Sequence, residues 1–404
     1  MMTPPPVSGM PYAHSPSSEA RTNYLSASVA ASASYIDNVL PYDTASPIGD
    51  GSFSILPSVA LSRSTSRQAE VLSYNPTFTF YEPTSVLDTF DQSASLGFQF
   101  RFAPRATLSL VDSFVRTSNV FNEADTLSAP ITGSSQPLAT TVIAPYAEQM
   151  TNSGNGVLSY QFSRNAMIGG GGSFATFTLP NPTQTQGLYN TNEGGGNIFY
   201  SRRLSRSQYI GLSYNYNWTS SDASSGRVQT QENSWLPFYT IYINRTFSIS
   251  IAGGLSDTSV SPSQSSSLSP SVIASLGWQA KRASLAASVS HSVSAMTGLL
   301  GAFSTTAVAG SASERIGRLW NGGLSASYET ISNAFASSLS SFSGGNTLST
   351  QISLGRSFSE RLTLNFAYQH LHEDYPGLAV VSADPDSNRE SVTLTYSLKR
   401  PLGR

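Results

Sequence analysis

The chain has 404 residues, a formal net charge of −2 and no cysteine. Charged residues make up 11% of it, under half of the roughly 25% that is usual in soluble domains, so neither nucleic-acid binding nor a charge-rich disordered chain is indicated. Disulfides and thiolate metal sites are excluded, and no run of about twenty apolar residues suggests a membrane-spanning helix. Low charge with 20 Phe and 19 Tyr fits an all-β transmembrane barrel, whose outer face is apolar and whose lumen is polar.

The start of the chain lacks the alternation seen later. Residues 1–21 are rich in Pro and Ser and contain no apolar secretory core, so we expect a disordered lead there. Residues 22–404 are expected to form one barrel. Its first strand is predicted near residues 24–35, and its last from Ser391 to Leu398.

Between these strands, pairs of alternating runs are joined by short polar segments, which is the pattern of an antiparallel hairpin. Eight such connections predict about eighteen strands, with sixteen or twenty left open, in an up-and-down antiparallel barrel. The gap across residues 118–153 holds a Pro-, Thr- and Ser-rich insert, which is predicted to be the longest loop. The eight connections are centred on residues 64–67, 103–105, 164–166, 204–206, 244–246, 281–282, 315–317 and 357–360.

The clearest hairpin covers residues 348–369, where large apolar residues alternate with small polar ones. A period of two sends successive side chains to opposite faces of a sheet. We therefore expect the polar set here, and the matching set after Ile210, to line an aqueous pore. The predicted pore-lining residues are Ser213, Asn215, Asn217, Ser349, Gln351, Ser353, Thr363, Asn365 and Gln369.

Several aromatic residues fall near predicted strand ends, where an apolar ring with a polar handle suits a membrane interface. Buried aromatics of a β-sandwich are the alternative, but a sandwich would not keep one face of nearly every strand so polar. The predicted membrane girdle comprises Tyr216, Trp218, Trp235, Tyr239, Trp278, Trp320 and Tyr368.

The sign of the charge differs between the short and the long connections, which is expected if the strands run up and down across one membrane. The basic residues of the short connections and C-terminal end are Arg63, Arg67, Arg101, Arg105, Arg164, Arg202, Arg203, Arg206, Arg245, Lys281, Arg282, Arg315, Arg318, Arg356, Arg361, Lys399, Arg400 and Arg404. The acids assigned to the other, longer loops are Asp37, Asp43, Asp50, Glu82, Asp88, Glu123, Asp125, Glu148, Glu193, Asp222, Glu232, Asp257, Glu329, Glu373, Asp374, Asp384 and Asp386. We expect both chain ends and the basic turns on the periplasmic side, and the acidic loops outside.

The architecture resembles that of outer-membrane β-barrel porins of Gram-negative bacteria, over roughly residues 22–404. The last strand carries the most motif-like part, with Val392, Leu394, Tyr396 and Leu398 in alternation. The resemblance implies an outer-membrane location, recognition of this strand by the barrel assembly machinery, and contact with outer-membrane lipid and lipopolysaccharide. It also leaves room for a homo-oligomer.

No convincing catalytic, metal or cofactor site is found, so an enzyme is not predicted. The glycines at 169–172 lack the Lys-Ser or Lys-Thr of a phosphate loop and are interpreted as strand glycines. His370 and His372, followed by two acids, are interpreted as a solvated strand end rather than a metal site.

Three functions remain open from the sequence. The leading one is a passive pore for small neutral or sugar-like solutes, with polysaccharide export as a related role, because the predicted wall offers hydroxyls and amides but few charges. The second is a structural or adhesive barrel whose long loop plugs the lumen. The third is a soluble β-propeller, whose blades also recur at about 40 residues.

Overall fold

The computed structural model describes residues 23–39, 47–82, 84–118, 148–180, 188–223, 226–263, 265–335, 344–376 and 386–401. They form one sheet of eighteen strands and a 3₁₀ helix at Ser85–Leu87. No helix in these ranges is long and apolar enough to cross a membrane. The strands are β1 Tyr24–Ile36, β2 Asp50–Ser64, β3 Gln68–Glu82, β4 Thr89–Ala103, β5 Ala106–Thr117, β6 Gln149–Tyr160, β7 Ala166–Thr178, β8 Thr191–Arg203, β9 Gln208–Ala223, β10 Gly226–Tyr242, β11 Phe247–Ser261, β12 Ser265–Gln279, β13 Ala283–Ala295, β14 Ala302–Ile316, β15 Trp320–Asn333, β16 Gly344–Ser357, β17 Leu362–Asp374 and β18 Asp386–Pro401.

Each strand pairs antiparallel with the next, and β1 pairs with both β2 and β18, so the sheet closes into a barrel. Val29 of β1, for example, lies opposite Pro57 on one side and Tyr396 on the other. The expectation of about eighteen strands in an up-and-down barrel is confirmed, and the propeller interpretation is wrong.

All eight short connections overlap their predicted positions, with the β14–β15 connection, residues 317–319, two residues later than predicted, and they lie at one end of the barrel, the short-turn end. Tyr24 is paired with Pro401, so the first and last strands meet at that same end. The expectation of long connections throughout the opposite end is wrong. Two residues separate β9, which ends at Ala223, from β10, which begins at Gly226, and three separate β11 from β12; Ala223 and Gly226 are paired.

The boundary of the longest loop needs correction. The prediction placed it at residues 118–153, but β6 begins at Gln149 and its first residues pair with the end of β5. Strand structure there follows from pairing with Thr117 and Arg116, since Gln149–Ser153 has no apolar alternation of its own. Residues 119–147 lie outside the described ranges, as do residues 1–22.

Prolines account for three interruptions of the ladder, because proline has no N–H to donate. The β2–β3 register is broken around Pro57 and Pro76, and the β10–β11 register around Pro237. The third interruption is larger. β12 and β13 pair from Gln279–Ser284 to Val272–His291, and Pro270 lies on β12 two residues before Val272. Beyond that point β12 keeps β11 as its partner while the end of β13 leaves the wall.

The strand glycines accommodate neighbouring side chains. The Phe199 ring occupies the space that a Cβ of Gly169 would need, and the Phe174 ring does the same at Gly154. Residues 169–172 lie within β7, so their interpretation as packed strand glycines is confirmed.

Candidate functional site

The wall has two faces of opposite character. On β18, Val392, Leu394, Tyr396 and Leu398 are between 43% and 47% exposed, while the residues between them are more shielded. The same alternation recurs on β9, where Leu212 is 42% exposed and Ser213 is 1% exposed. Because the inner side of a closed barrel is concave, the exposed apolar set is the outer face and the polar set lines the lumen.

The nine predicted pore-lining residues all occupy the inner parity of their strands. Ser213, Asn215 and Gln369 are buried, and the other six are half-buried. Ser213 Oγ donates to the carbonyl of Leu236 at 3.3 Å, and Asn215 Nδ2 donates to Ser234 Oγ at 3.2 Å. Contact between these side chains and a passing solute stays a prediction.

The seven girdle residues lie on the outer parity. Three girdle residues end an outward-facing apolar run on the side away from the short turns, namely Trp218, Trp235 and Tyr368. The next outward-facing residues beyond them are Ser220, Asn233 and His370. Tyr216 lies one outward-facing position closer to the short turns than Trp218. Tyr239, Trp278 and Trp320 lie toward the short-turn end. Their contact with a membrane interface stays a prediction.

The β13–β14 hairpin folds into the lumen, which the sequence did not predict. Its tip, residues 292–305, lies against β10 and β11 on the inside of the wall. Met296 and Phe303 have no exposed surface, and Leu299 is 2% exposed. They pack with Phe177, Leu179 and Leu188 in one apolar cluster, so the tip is held by hydrophobic contact as well as by hydrogen bonds.

Small hydroxyls on four neighbouring strands fasten this tip. The Gly298 N–H donates to Thr191 Oγ1 at 3.1 Å, and the Gly298 carbonyl accepts from the Tyr189 N–H at 2.9 Å. Thr258 Oγ1 donates to the Val293 carbonyl at 3.1 Å, and Thr230 Oγ1 to that of Gly301 at 3.3 Å. The tip is therefore a fixed constriction on the β7–β11 side of the lumen.

Carboxylates on the inner wall are the second feature that the sequence interpretation missed. Glu193, Glu232, Glu329 and Glu373, which were assigned to external loops, lie inside strands with inner parity. Glu193 Oε1 accepts from Thr297 Oγ1 of the tip at 2.8 Å. Glu232 is 5% exposed and accepts from Ser256 Oγ at 2.9 Å, so it is shielded from the open lumen.

His370 and His372 have outer parity and join β17 to β18 at the strand ends. His372 Nδ1 lies 2.9 Å from Asp386 Oδ1, and His370 Nδ1 lies 2.9 Å from Asn388 Oδ1. Within the described ranges, no group of three or more His, Asp or Glu has the arrangement of a metal site.

Charge is segregated between the two ends more strongly than the sequence count suggested. The short-turn end carries seventeen described Lys and Arg, namely all those assigned to it above except Arg404. Among the described residues, the acids at this end are Glu70, Glu314 and Glu360, which leaves a formal excess of fourteen positive charges. The opposite end carries fifteen described acids against Arg116, Arg227 and Arg389, an excess of twelve negative charges. Those acids are Asp37, Asp50, Glu82, Asp88, Asp91, Glu148, Glu193, Asp222, Glu232, Asp257, Glu329, Glu373, Asp374, Asp386 and Glu390.

A closed sheet of eighteen strands with an apolar outer band and a polar interior defines the class: the chain is a transmembrane β-barrel. No family model and no curated protein matches it.

Solved structures similar to the chain include the outer membrane protein OpdK of Pseudomonas aeruginosa, with 10% identity over 93% of this chain and 99% of that one, at a TM-score of 0.44. OccAB3 of Acinetobacter baumannii has 9% identity over 94% and 99%, at 0.45. OccK2 of Pseudomonas aeruginosa, solved in complex with glucuronate, has 9% identity over 93% and 98%, at 0.46. TM-scores below 0.5 do not establish a common fold, so the class stands on the strand topology itself.

Proposed function

We propose that the chain is an outer-membrane pore that passes small solutes by passive diffusion. One observation carries this proposal: the barrel is closed by eighteen strands, and its polar residues point inward along nearly every strand. A barrel of this size encloses more space than its inner side chains fill, and an even strand number is usual for bacterial outer-membrane barrels.

The solute class follows from the groups on the open part of the wall. The inner parity of β16 and β17 presents Ser349, Gln351, Ser353, Thr363 and Asn365, which offer hydroxyls and amides without charge. Such groups exchange hydrogen bonds with hydroxyl-rich molecules and give no charged ring to select ions. Small neutral or sugar-like solutes are therefore the preferred cargo, and a role in polysaccharide export is a wider version of the same proposal.

The orientation and partners belong to the same proposal. The short basic turns and both chain ends face the periplasm, as the short turns of this barrel class do. The last strand, β18, closes the barrel against β1 and is the segment that the barrel assembly machinery would recognise. Outer-membrane lipid and lipopolysaccharide surround the apolar band. A homo-oligomer is compatible with this arrangement.

The inward hairpin tip supports a second candidate function, a structural or adhesive barrel with a plugged lumen. The tip is packed and hydrogen-bonded to the wall, as a plug would be. The plugging loop of the sequence interpretation, residues 118–153, lies mostly outside the described ranges.

Conductance separates these two functions. The refolded full chain would be inserted into planar bilayers beside a variant lacking residues 297–300. Stepwise conductance in the full chain, with larger steps in the deletion variant, supports a constricted pore. A silent full chain with a conducting deletion variant supports the plugged barrel, and silence of both contradicts the pore.

A further inference from the structure

A cavity of about 510 Å³ lies at the short-turn end, beside the β12–β13 and β14–β15 turns. Ser313 and Arg315 on β14, Asn321 on β15 and Thr363 on β17 border it from the inner parity of their strands. Trp320 and Gly322 border it from the outer parity, so the cavity lies at the rim of the barrel wall beside the short turns, with most of its polar side chains on the lumen side.

Three guanidinium groups border this cavity: Arg282 in one turn, Arg318 in the next, and Arg315 at the end of β14. The two turns are adjacent because the Arg315 N–H donates to the Arg282 carbonyl at 2.7 Å. Among the described residues, none of these three arginines has a carboxylate within salt-bridge distance.

One carboxylate, Glu314, also borders the cavity. It precedes Arg315 on the same strand and has the outer parity, so the two side chains point to opposite faces. The lining thus keeps a formal excess of two positive charges. Three like charges that share one concavity repel one another, and a bound anion would relieve that repulsion.

The chemistry of the lining defines the class of ligand. Guanidinium is a planar fork of N–H donors that matches the oxygens of phosphate and carboxylate and binds them bidentately. The hydroxyls of Ser313, Ser357 and Thr363 and the amide of Asn321 supply further donors around the same space. Several charges and several donors suit an oxyanion with more than one negative charge.

We propose that this rim cavity is a binding site for a small polyvalent oxyanion, of the phosphate or polycarboxylate class. Arg315 and the hydroxyl and amide donors of the lining have inner parity, which favours a dissolved anion over the phosphate of a lipid headgroup, because a headgroup lies against the outer face. The site goes beyond the pore function and does not require that the barrel conducts.

The test is calorimetric binding of inorganic pyrophosphate to the detergent-solubilised full chain at low salt. A variant with Arg282→Gln, Arg315→Gln and Arg318→Gln is expected to bind at least about tenfold more weakly than the natural chain. The matched control carries Arg164→Gln, Arg206→Gln and Arg245→Gln, which removes the same charge from other short turns, and should stay within about threefold of the natural affinity.

Two outcomes overturn the proposal: no saturable binding by the natural chain, or equal weakening in both triple variants, which would mean only general attraction to a basic rim. If the cavity variant fails to fold, the single Arg318→Gln change in an exposed turn is expected to weaken binding by about threefold, and an unchanged affinity would contradict the site. A parallel titration with vesicles of anionic phospholipid distinguishes the source. If the vesicles displace bound pyrophosphate as effectively as free pyrophosphate does, the cavity binds lipid headgroups and the dissolved-anion assignment is overturned.

Discussion

A charge on the outer face of β18 should disrupt folding far more than the same charge one residue away. Leu394 has outer parity and is 45% exposed between Ala31 of β1 and Leu364 of β17. Thr395, its neighbour, has inner parity and lies between Ala30 and Thr363. The pair therefore compares lipid with lumen at nearly the same depth.

The position of Leu394 sets the magnitude. The apolar run on β18 extends from Val392 to Leu398, so its centre lies one residue from Leu394. At roughly 3.3 Å per residue and a tilt near 40°, Leu394 lies about 2.5 Å from the middle of an apolar band about 25 Å tall. Leu394→Arg should then lower the free energy of unfolding by about 2–4 kcal/mol, or roughly 30- to 900-fold in the folding equilibrium.

Reversible unfolding in denaturant, in lipid vesicles, measures this difference. Thr395→Arg is the control, and it should change the free energy of unfolding by less than about 1 kcal/mol because the lumen is wet. Equal destabilisation by both variants would refute the assignment of inner and outer faces. Greater destabilisation by Thr395→Arg would reverse it.

Three further predictions follow from other features. Asp112 has outer parity between Leu96 and Gly154, with no register shift beside it, so its carboxylate faces the lipid. Asp112→Leu should therefore raise the free energy of unfolding by about 1–2 kcal/mol in the same denaturant assay. A loss of stability would show that the carboxylate has a partner. Replacing the tip anchors by Thr230→Val and Thr258→Val removes two hydrogen bonds to tip carbonyls, so single-channel recordings should show more frequent current fluctuations, and an unchanged record would mean that packing alone holds the tip. The opposite charges of the two ends should make the single-channel current depend on the sign of the voltage at 0.1 M salt, where the Debye length is about 10 Å. The asymmetry should vanish at 1 M salt, where the Debye length is about 3 Å. Asymmetry that persists at 1 M would contradict an origin in these charges.

The strands could be predicted because their signal is local. The alternation of Leu348, Thr350, Ile352 and Leu354 is present in the sequence, and it reports which side of the wall each residue faces whatever the partner strand is. The short turns are local too, since polar residues interrupt the alternation at each one. The even number of strands also predicts that both chain ends lie on the short-turn side, and Tyr24 and Pro401 meet there.

The constriction could not be predicted because it depends on contacts between distant strands. Met296, Leu299 and Leu300 form an apolar segment in a region otherwise read as an exposed loop, and that was the available signal. Whether this segment packs inside the lumen depends on Phe177 and Leu188, more than a hundred residues earlier in the chain. The inner carboxylates were misplaced for a similar reason: Glu193 and Glu232 look like loop acids until pairing extends their strands past the apolar band.

The alternation of wall residues in a lipid membrane tests the central claim most directly. The natural chain has no cysteine, so Asn365→Cys and Phe366→Cys each introduce a single thiol at neighbouring positions of β17, one with inner and one with outer parity. In proteoliposomes, a small membrane-impermeant thiol reagent should label the cysteine at position 365 through the water-filled lumen and leave that at position 366 unlabelled in the hydrocarbon. Labelling of position 366 but not of position 365, or of both at equal rates, would contradict a membrane-spanning barrel with an aqueous interior.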